Sequence, residues 1–180
     1  MLRVLTLSTL FPHALRPTLG IFVERQTRGL AAHGEVELKV VAPVGLPAWP
    51  FRLHPQYAPL ARLPRRETWR DLDVLRPRFR AWPGPLARRA AASLASALAP
   101  VLADLRRVFP FDVIDAQFFW PDGPAAVRLG RELGVPVSIK ARGSDIHLWG
   151  QRPGIREQIA EAGRAADGLL AVSGPMRHSM

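Results

Sequence analysis

The 180-residue sequence predicts an α/β fold: a doubly wound, mostly parallel sheet with helices on both of its faces. Two observations predict it. Short apolar runs typical of strands alternate along the chain with segments in which apolar residues recur at helical spacing. The runs are apolar at almost every position, which is typical of strands buried on both faces of a parallel sheet. The length suits a single domain over residues 1–180.

The first three predicted elements are a strand, a helix and a strand. The continuous apolar run "LRVLTL" (2–7) predicts the first strand, and "VELKVVAP" (36–43) predicts the second. Residues 19–33 between them predict a helix that Gly34 ends. The apolar residues expected on its inner face are Leu19, Phe22, Val23 and Leu30.

Residues 43–84 are rich in proline and arginine and resemble an insertion into this pattern. The prolines predict irregular surface chain. A loop of this length inside a compact domain usually has a function. The run 73–84 predicts one short edge strand, because Pro77 would remove a hydrogen bond from a central strand.

The second half of the chain returns to regular alternation. A long helix is predicted over 86–107, where leucine and alanine recur at helical spacing and Pro100 predicts a kink. The remaining predicted elements are strand 111–117, helix 123–133 ended by Gly134, strand 135–141, helix 154–166 and strand 168–173.

Composition excludes several kinds of site. The sequence has no cysteine, which excludes disulfides, thiolate metal sites and a cysteine nucleophile. No uncharged apolar run reaches the roughly 18 residues of a membrane span, so none is expected. His147 has no second histidine or carboxylate at the spacing of a metal site, so we expect no metal.

The net charge of +10 favours anionic partners, although an arginine-rich composition could equally reflect a GC-rich coding sequence. Ten of the arginines lie between residues 52 and 89, interleaved with tryptophan and phenylalanine. This pattern suits an anionic membrane surface or single-stranded nucleic acid. No nucleic-acid-binding motif accompanies it, so the membrane is favoured. The arginines expected on this surface are Arg65, Arg66, Arg70 and Arg78.

In doubly wound sheets ligands bind beyond the carboxyl ends of the strands, which here means the loops 8–19, 117–122, 142–153 and the residues from Ser173 onward. The first loop has one glycine, Gly20, where a dinucleotide fingerprint needs three, so ordinary NAD binding is not expected. Thr18 is the predicted N-cap. Gly20 either lets an anion approach the helix N-terminus or only relieves crowding against the sheet.

Two further loops present polar and aromatic residues. In "DAQFFWPDGPAA", Trp120 could stack on a sugar ring, and Asp122 could accept hydrogen bonds from sugar hydroxyls, although capping of the next helix is the favoured role of Asp122. In "KARGSDIHLWG", Arg142, Ser144, Asp145 and His147 form the densest polar cluster. Asp145 either forms a loop-ordering ion pair with Arg142 or orients it toward a phosphate or sugar hydroxyl.

Three blocks of the sequence occur in the order of a known family: "LSTLFPHALRPTLGIFVERQTRGLAAHGEVELKVVAP", "FDVIDAQFFWPDGPAAVRLGRELGVPVSIKARGSDIH" and "ADGLLAVSGPMRHSM". Together they resemble the N-terminal domain of family-four retaining glycosyltransferases, over nearly the whole chain. The resemblance implies a GT-B fold, in which two Rossmann-like domains face a cleft. The N-terminal domain mainly binds the acceptor, and the C-terminal domain binds the nucleotide sugar.

The resemblance also assigns residues. Gly20 matches the glycine whose loop approaches the diphosphate of the donor, and Arg142 and Asp145 match a block near the reaction centre. Many members have His-Gly-Ser-Asp there, so Arg142 stands where they have histidine. Arginine cannot act as a base near neutral pH. It could stabilise the leaving phosphate or hold the acceptor, for which Trp120, Asp122, Ser144 and His147 are the candidate ligands.

The resemblance therefore implies the acceptor-side domain of a glycosyltransferase of polysaccharide biosynthesis. It would transfer a hexose, with retention, from a nucleotide diphosphate sugar to a glycan or lipid-linked acceptor, without metal or cofactor. The donor domain falls outside residues 1–180, so we expect this chain alone to be inactive. The alternatives are a GT-B sugar-nucleotide epimerase and a non-enzymatic module that binds anionic membranes or nucleic acid. The expected location is the cytoplasm, peripheral on the inner face of the membrane.

Overall fold

A computed structural model describes residues 1–82 and 84–178. Pro83, in the proline-rich segment, and Ser179 and Met180, at the end of the fourth loop, lie outside the described residues. The strands are β1 (Leu2–Leu7), β2 (Val36–Val41), β3 (Val44–Leu46), β4 (Arg66–Trp69), β5 (Leu72–Leu75), β6 (Arg78–Arg80), β7 (Val113–Ala116), β8 (Val137–Ala141) and β9 (Gly168–Ala171).

Four longer helices lie close to their predicted positions, and three short helices were not predicted. In chain order, the helices are α1 (Ile21–Ala31), α2 (Ala58–Ala61), α3 (Ala90–Val108), α4 (Asp122–Leu133), α5 (Ser144–His147), α6 (Arg156–Ala165) and α7 (Gly174–His178). Single 3₁₀ turns occur at Phe51–Leu53 and Trp149–Gln151, and a longer 3₁₀ segment, Gly84–Arg89, leads into α3.

The main sheet has seven strands in the order β4-β5-β2-β1-β7-β8-β9. All neighbours are parallel except β4 and β5, which are antiparallel. Without β4, the order is that of a Rossmann sheet, with β1 at the point where the chain direction across the sheet reverses. The predicted fold class, a mostly parallel doubly wound sheet, is confirmed.

Helices cover both faces of this sheet. On one face, α3, α4 and α6 enclose the larger core, which includes Leu5 of β1 and Leu94 and Leu98 of α3. On the other face, Val23 of α1 packs with Val40 and Val74 in a smaller core. Since the central strands β1, β7 and β8 are buried from two sides, their apolar residues run without strict alternation, as the sequence indicates.

The segment 43–84 is more regular than predicted. The expected single edge strand over 73–84 is wrong: β5 lies inside the sheet between β4 and β2, and β4 is the edge. Pro77 falls between β5 and β6, so it costs neither strand a ladder bond. A small second sheet forms where β3 pairs in parallel with β6.

By length and composition alone, the helical stretch Gly84–Val108 is apolar enough to cross a membrane, with a mean hydropathy of 1.2 in its most apolar part. This differs from the expectation that no such segment occurs. However, Leu94, Leu98 and Leu102 of this stretch are fully buried in the core. One such helix is therefore weak evidence for a membrane span.

Candidate functional site

The candidate site lies at the carboxyl edge of the sheet, where β1, β7 and β8 end side by side. Their loops carry the first glycine turn, the aromatic loop and the "RGSD" loop of the sequence. Because β1 is the strand at which the topology reverses, this edge is the usual ligand crevice of the fold.

The turn into α1 requires glycine for two reasons. Gly20 has φ 62°, in the left-handed region, and a Cβ atom there would lie 2.1 Å from the carbonyl oxygen of Leu10. Gly20 itself is the N-cap residue, without a side-chain cap, so the prediction of Thr18 as N-cap is wrong. Thr18 instead accepts a hydrogen bond from the Ile21 N–H at its carbonyl, 3.3 Å away. Close packing of the turn on the loop after β1 therefore explains this glycine without a ligand.

Arg142 joins three elements at this edge. Its Nε donates to the carbonyl of Gln117 at 3.0 Å, and its Nη2 donates to Oε1 of Gln26 on α1 at 2.6 Å and to Oε1 of Gln117. The guanidinium also stands 5.3 Å from the ring centroid of Phe22. Burial lowers the pKa of Arg142, opposed by Asp115 and Asp145. The side chain remains a cation, since the pKa of arginine is so high.

The inner face of α1 differs from the prediction. Phe22 is 47% exposed, beside Arg142, while Glu24 and Thr27 are buried. The aromatic ring was expected in the core because it falls on the apolar stripe. Val23, predicted on the same face, does pack against the sheet, so the prediction is confirmed for Val23 and wrong for Phe22.

Asp145 is fully buried and holds two loops together. Its Oδ1 accepts from the N–H groups of Arg142 at 3.0 Å and Gly143 at 2.7 Å, and its Oδ2 accepts from the N–H of Phe119 at 2.9 Å. The expected ion pair between the side chains of Arg142 and Asp145 is therefore not formed. Asp145 orients Arg142 through its backbone, so it is a positioning residue.

Asp122 is also completely buried. Its two oxygens accept from the N–H of Thr9 at 3.0 Å and from the Thr9 hydroxyl at 2.7 Å. Burial raises the pKa of Asp122 to about 7, with repulsion from Asp145 adding to the rise and the Thr9 hydrogen bonds opposing it. The preferred prediction of a cap is wrong: α4 begins at Asp122 without a side-chain cap hydrogen bond.

The other proposed acceptor ligands are divided between core and surface. Trp120 is 2% exposed and packs in the larger core, so it presents no ring face to a sugar. Ser144 and His147 are exposed at the start and end of the short helix α5. Their role as acceptor ligands stays a proposal.

A buried polar network on β7 and β8 was missed. Nζ of Lys140 lies 2.7 Å from Oδ2 of Asp115, whose Oδ1 accepts from the Ser138 hydroxyl at 2.8 Å. The Gln117 amide also donates to Asp115, and its Oε1 accepts from Arg142. A continuous chain of hydrogen bonds thus supports Arg142 from below. Polar residues at alternate positions, Asp115 and Gln117 and then Ser138 and Lys140, in otherwise apolar segments were the available signal.

The predicted basic surface is only partly exposed. Arg65, Arg66 and Arg70 are exposed, and Arg66 also pairs with Asp73 at 2.7 Å. Arg78 lies outside this surface, because its guanidinium donates to the carbonyls of Arg76 and Leu63. Burial lowers the pKa of Arg78, and the neighbouring arginines add to the effect.

The same segment carries an apolar protrusion that the sequence analysis did not single out. Trp49 and Phe51 are each 69% exposed and Leu53 is 65% exposed, within and next to the 3₁₀ turn Phe51–Leu53. We call Trp49, Phe51 and Leu53 the apolar turn.

In the part of the chain that the structure describes, no group of three or more histidine and acidic residues could hold a metal ion.

Comparison with known proteins adds a homologue and a fold. No protein-family model matches the chain. Over 175 residues it is 28% identical to TuaC of Bacillus subtilis (strain 168), which is assigned as a glycosyltransferase of teichuronic acid biosynthesis. The match covers 96% of this chain and 44% of TuaC, so the chain spans less than half the length of this relative. The similarity indicates homology to a glycosyltransferase.

Two solved structures represent the fold. UDP-GlcNAc 2-epimerase from Neisseria meningitidis, bound to UDP-GlcNAc, has a TM-score of 0.55 at 15% identity, over 99% of this chain and 42% of the epimerase. A UGT transferase from Siraitia grosvenorii, in complex with UDP, has a TM-score of 0.55 at 12% identity, over 95% of this chain and 44% of the transferase. At these identities the likeness shows the fold: the Rossmann-like domain of a GT-B protein.

Proposed function

We propose that this chain is the acceptor-side domain of a retaining GT-B glycosyltransferase of the family-four type. The whole enzyme would transfer a hexose from a nucleotide diphosphate sugar to a glycan or lipid-linked acceptor. The observation that carries the proposal is the position of Arg142 at the topological reversal point, held by Gln117 and Gln26 and positioned by Asp145. Homology to a glycosyltransferase supports the reaction class.

Arg142 suits the charge that such a reaction develops. As the bond between the anomeric carbon and the diphosphate breaks, negative charge grows on the leaving diphosphate. A new bond forms from the anomeric carbon to an acceptor hydroxyl, whose proton is released. A guanidinium offers several fixed donors to phosphate oxygens and keeps its charge, so it stabilises the leaving group. Its three hydrogen-bond anchors would hold it in place before the reaction.

Gly20 would form the facing wall of the cleft. The absence of a side chain lets the turn pack on Leu10 and brings the backbone at the start of α1 to the same edge as Arg142. The diphosphate itself would be held mostly by a donor domain. Neither a metal nor a cofactor is part of the proposal.

The acceptor is proposed to be a glycan or its lipid-linked precursor. Support comes from the assignment of TuaC to teichuronic acid biosynthesis. The exposed Arg65 and Arg70, together with the apolar turn, support a peripheral position on an anionic membrane surface. The location is proposed to be the cytoplasmic side of that membrane, and nucleic acid is not expected to bind.

The test is a screen of nucleotide sugars with the full-length gene product, first without and then with membrane glycolipid extracts as acceptors. The expected result is sugar transfer that depends on added acceptor, with the anomeric configuration of the donor retained. The solved 2-epimerases share this fold, so the second candidate is a sugar-nucleotide epimerase. Conversion of a nucleotide sugar to its epimer without any acceptor would replace the proposal with that one.

A further inference from the structure

A small cavity of about 110 Å³ lies beside the candidate crevice, between the loop after β1 and the segment 43–84. It sits at the carboxyl ends of β1 and β2. Its polar walls are Thr9, His13, Arg16 and Arg76, and Leu60 of α2 and Gly45 of β3 close it from the other side. None of these residues belongs to the Arg142 cluster.

His13 is the unexplained group in this cavity. Its side chain is 5% exposed, and its buried Nδ1 has no hydrogen-bond partner among the described residues. A buried polar atom without a partner is costly and uncommon in folded proteins. A tight turn holds His13 next to Arg16, since the Arg16 N–H donates to the His13 carbonyl at 2.9 Å.

The charges around His13 sum to a positive field. Arg76 is 1% exposed and is fixed by Glu67, 2.5 Å from its Nε, and by the carbonyl of Pro12, 2.7 Å from its Nη2. Burial lowers the pKa of His13, Arg76 and Arg16 lower it further, and Glu67 opposes them. Two guanidiniums and a single carboxylate thus act on one imidazole, an environment that favours an anion.

We infer that this cavity binds an anionic group of the acceptor, a phosphate or a carboxylate. In this arrangement His13 donates a hydrogen bond to the anion and Arg16 pairs with it from the mouth. The inference rests on the proposed acceptor role of the domain. At about 30 Å³ per water, the cavity has room for a few waters, so it admits one such group and leaves the rest of the acceptor outside.

The position of the cavity fits this role. Thr9 lines it and also donates to Asp122, which lies close enough to Asp145 for the two carboxyl groups to repel each other. Asp145 in turn positions Arg142. An acceptor anchored by its anionic group at His13 would therefore extend along the edge of the sheet toward Arg142.

The test is binding of inorganic phosphate to the 180-residue chain, followed by NMR of the histidine rings. Phosphate should shift the ring resonances of His13 and leave those of the exposed His33 unchanged. Arg16→Gln should weaken the binding by about tenfold, because hydrogen bonds to charged groups contribute most to affinity. Arg25→Gln, a change at an exposed arginine of α1, is the matched control. His13→Ala removes this reporter, so phosphate binding to that variant is measured by calorimetry and should be lost; Arg16→Gln keeps the test valid if His13→Ala unfolds.

A second arm replaces phosphate with glucuronate, which carries only a carboxylate. Preference for one of the two anions identifies the source of the acceptor's charge. The inference is overturned if neither anion shifts His13, or if Arg16→Gln binds both as tightly as the parent chain. This outcome is separate from the proposed function, because acceptor-dependent transfer by the full-length protein can succeed without any anion binding at His13.

Discussion

At the scale of single residues, Arg142 is the side chain whose hydrogen bonds are not explained by packing alone. Its guanidinium is half-buried, and a neutral side chain at this position would avoid the free-energy cost of desolvating a charge. Its hydrogen-bond partners, the carbonyl of Gln117 and the amide of Gln26, are neutral. Among the described residues, therefore, no direct ion pair offsets the desolvation of the guanidinium. A preorganised cation facing a crevice is the arrangement expected where negative charge develops.

We predict that Arg142→Ala lowers kcat/KM of the full-length enzyme by about a hundredfold or more, the usual effect of removing one donor to developing charge. Arg142→Lys should recover little, since an ammonium cannot span both Gln117 and Gln26. Steady-state kinetics with the identified donor and acceptor provide the measurement. Arg128→Ala is the control, because Arg128 is exposed and pairs with Glu132 on α4. Wild-type kinetics in Arg142→Ala would reduce this loop to a structural role.

Asp122 makes stability depend on pH with an unusual sign. Its pKa is raised from 3.8 to about 7 in the folded chain. The folded state therefore favours the protonated carboxyl, so the contribution of Asp122 to stability is complete below about pH 3.8 and is lost as the pH rises through about 7. The carboxylate would be better solvated in the unfolded chain.

We predict that the free energy of unfolding falls by about 2 kcal/mol more in the parent chain than in Asp122→Asn between pH 5 and pH 8. Asparagine is neutral at both values and can hydrogen-bond both the N–H and the hydroxyl of Thr9. Urea unfolding curves at several pH values measure the difference. Parallel profiles for the two chains would show that Asp122 does not titrate in this range.

At the scale of elements, the turn into α1 depends on packing as well as on backbone conformation. Gly20 and Gly134 have nearly the same φ, 62° and 63°, but a Cβ at Gly134 would meet nothing within 4 Å. The pair therefore separates conformational strain from steric overlap. Alanine at either position would be strained by the left-handed backbone conformation, and only at Gly20 would its Cβ also collide with Leu10.

We predict that Gly20→Ala destabilises the chain by about 2 kcal/mol more than Gly134→Ala, the usual cost of overpacking. Chemical denaturation of both variants measures it. Because the turn also carries Gln26 and Phe22 toward Arg142, Gly20→Ala should lower transfer activity even where it remains folded. Equal destabilisation of the two variants would mean that the loop after β1 moves aside without cost.

The apolar turn and the exposed Arg65 and Arg70 of the same segment are the element-level basis for the proposed membrane binding. We predict that a Trp49→Ser, Phe51→Ser double variant binds vesicles of anionic phospholipid about tenfold more weakly, because each side chain loses part of its favourable burial in the interface. Co-sedimentation with vesicles is the measurement. Val108→Ser, at an 80% exposed position at the end of α3, is the control.

Arg65→Ala and Arg70→Ala should also weaken vesicle binding and reduce its dependence on salt, because exposed charges act through a screened field. Binding to a single-stranded oligonucleotide that these changes abolish, with none to vesicles, would favour the nucleic-acid module instead. Vesicle binding that is equal in all these variants would exclude this face as the contact surface.

At the scale of the whole molecule, we propose that this domain supplies one wall of a cleft. The chain spans 44% of TuaC and 42% of the epimerase of known structure. Its candidate residues meet at a single edge of the sheet, with the proposed anion cavity beside them. A nucleotide diphosphate would need further donors that face this edge.

We therefore predict that the 180-residue chain alone transfers no sugar from any nucleotide sugar that the full-length protein uses. Product formation under identical conditions, followed by mass spectrometry, compares the two proteins. The chain should still bind anions at His13 if it is folded, so binding and transfer can be separated. Sugar transfer by the isolated chain would contradict a division of labour between two domains.

The sequence by itself determined the elements of the fold and the loops of the site. Apolar runs, helical spacing and the glycines after helices are local signals, so β1, β2, β7, β8, β9 and the four longer helices could be located from them, whereas the strands of the proline-rich segment could not. The carboxyl-edge rule then placed Gly20, Arg142 and Asp145 together without coordinates. Homology to a glycosyltransferase agrees with the class that the resemblance implied.

Only the tertiary structure decided which of those side chains are accessible and what they contact. Arg142 meets Gln26 across 116 residues and Asp122 meets Thr9 across 113, distances along the chain that no local pattern encodes. Trp120 sits in the core rather than in the crevice, and Arg78 faces inward. The direction of a loop side chain depends on which distant segment packs over it, and that packing exists only once the sheet has assembled.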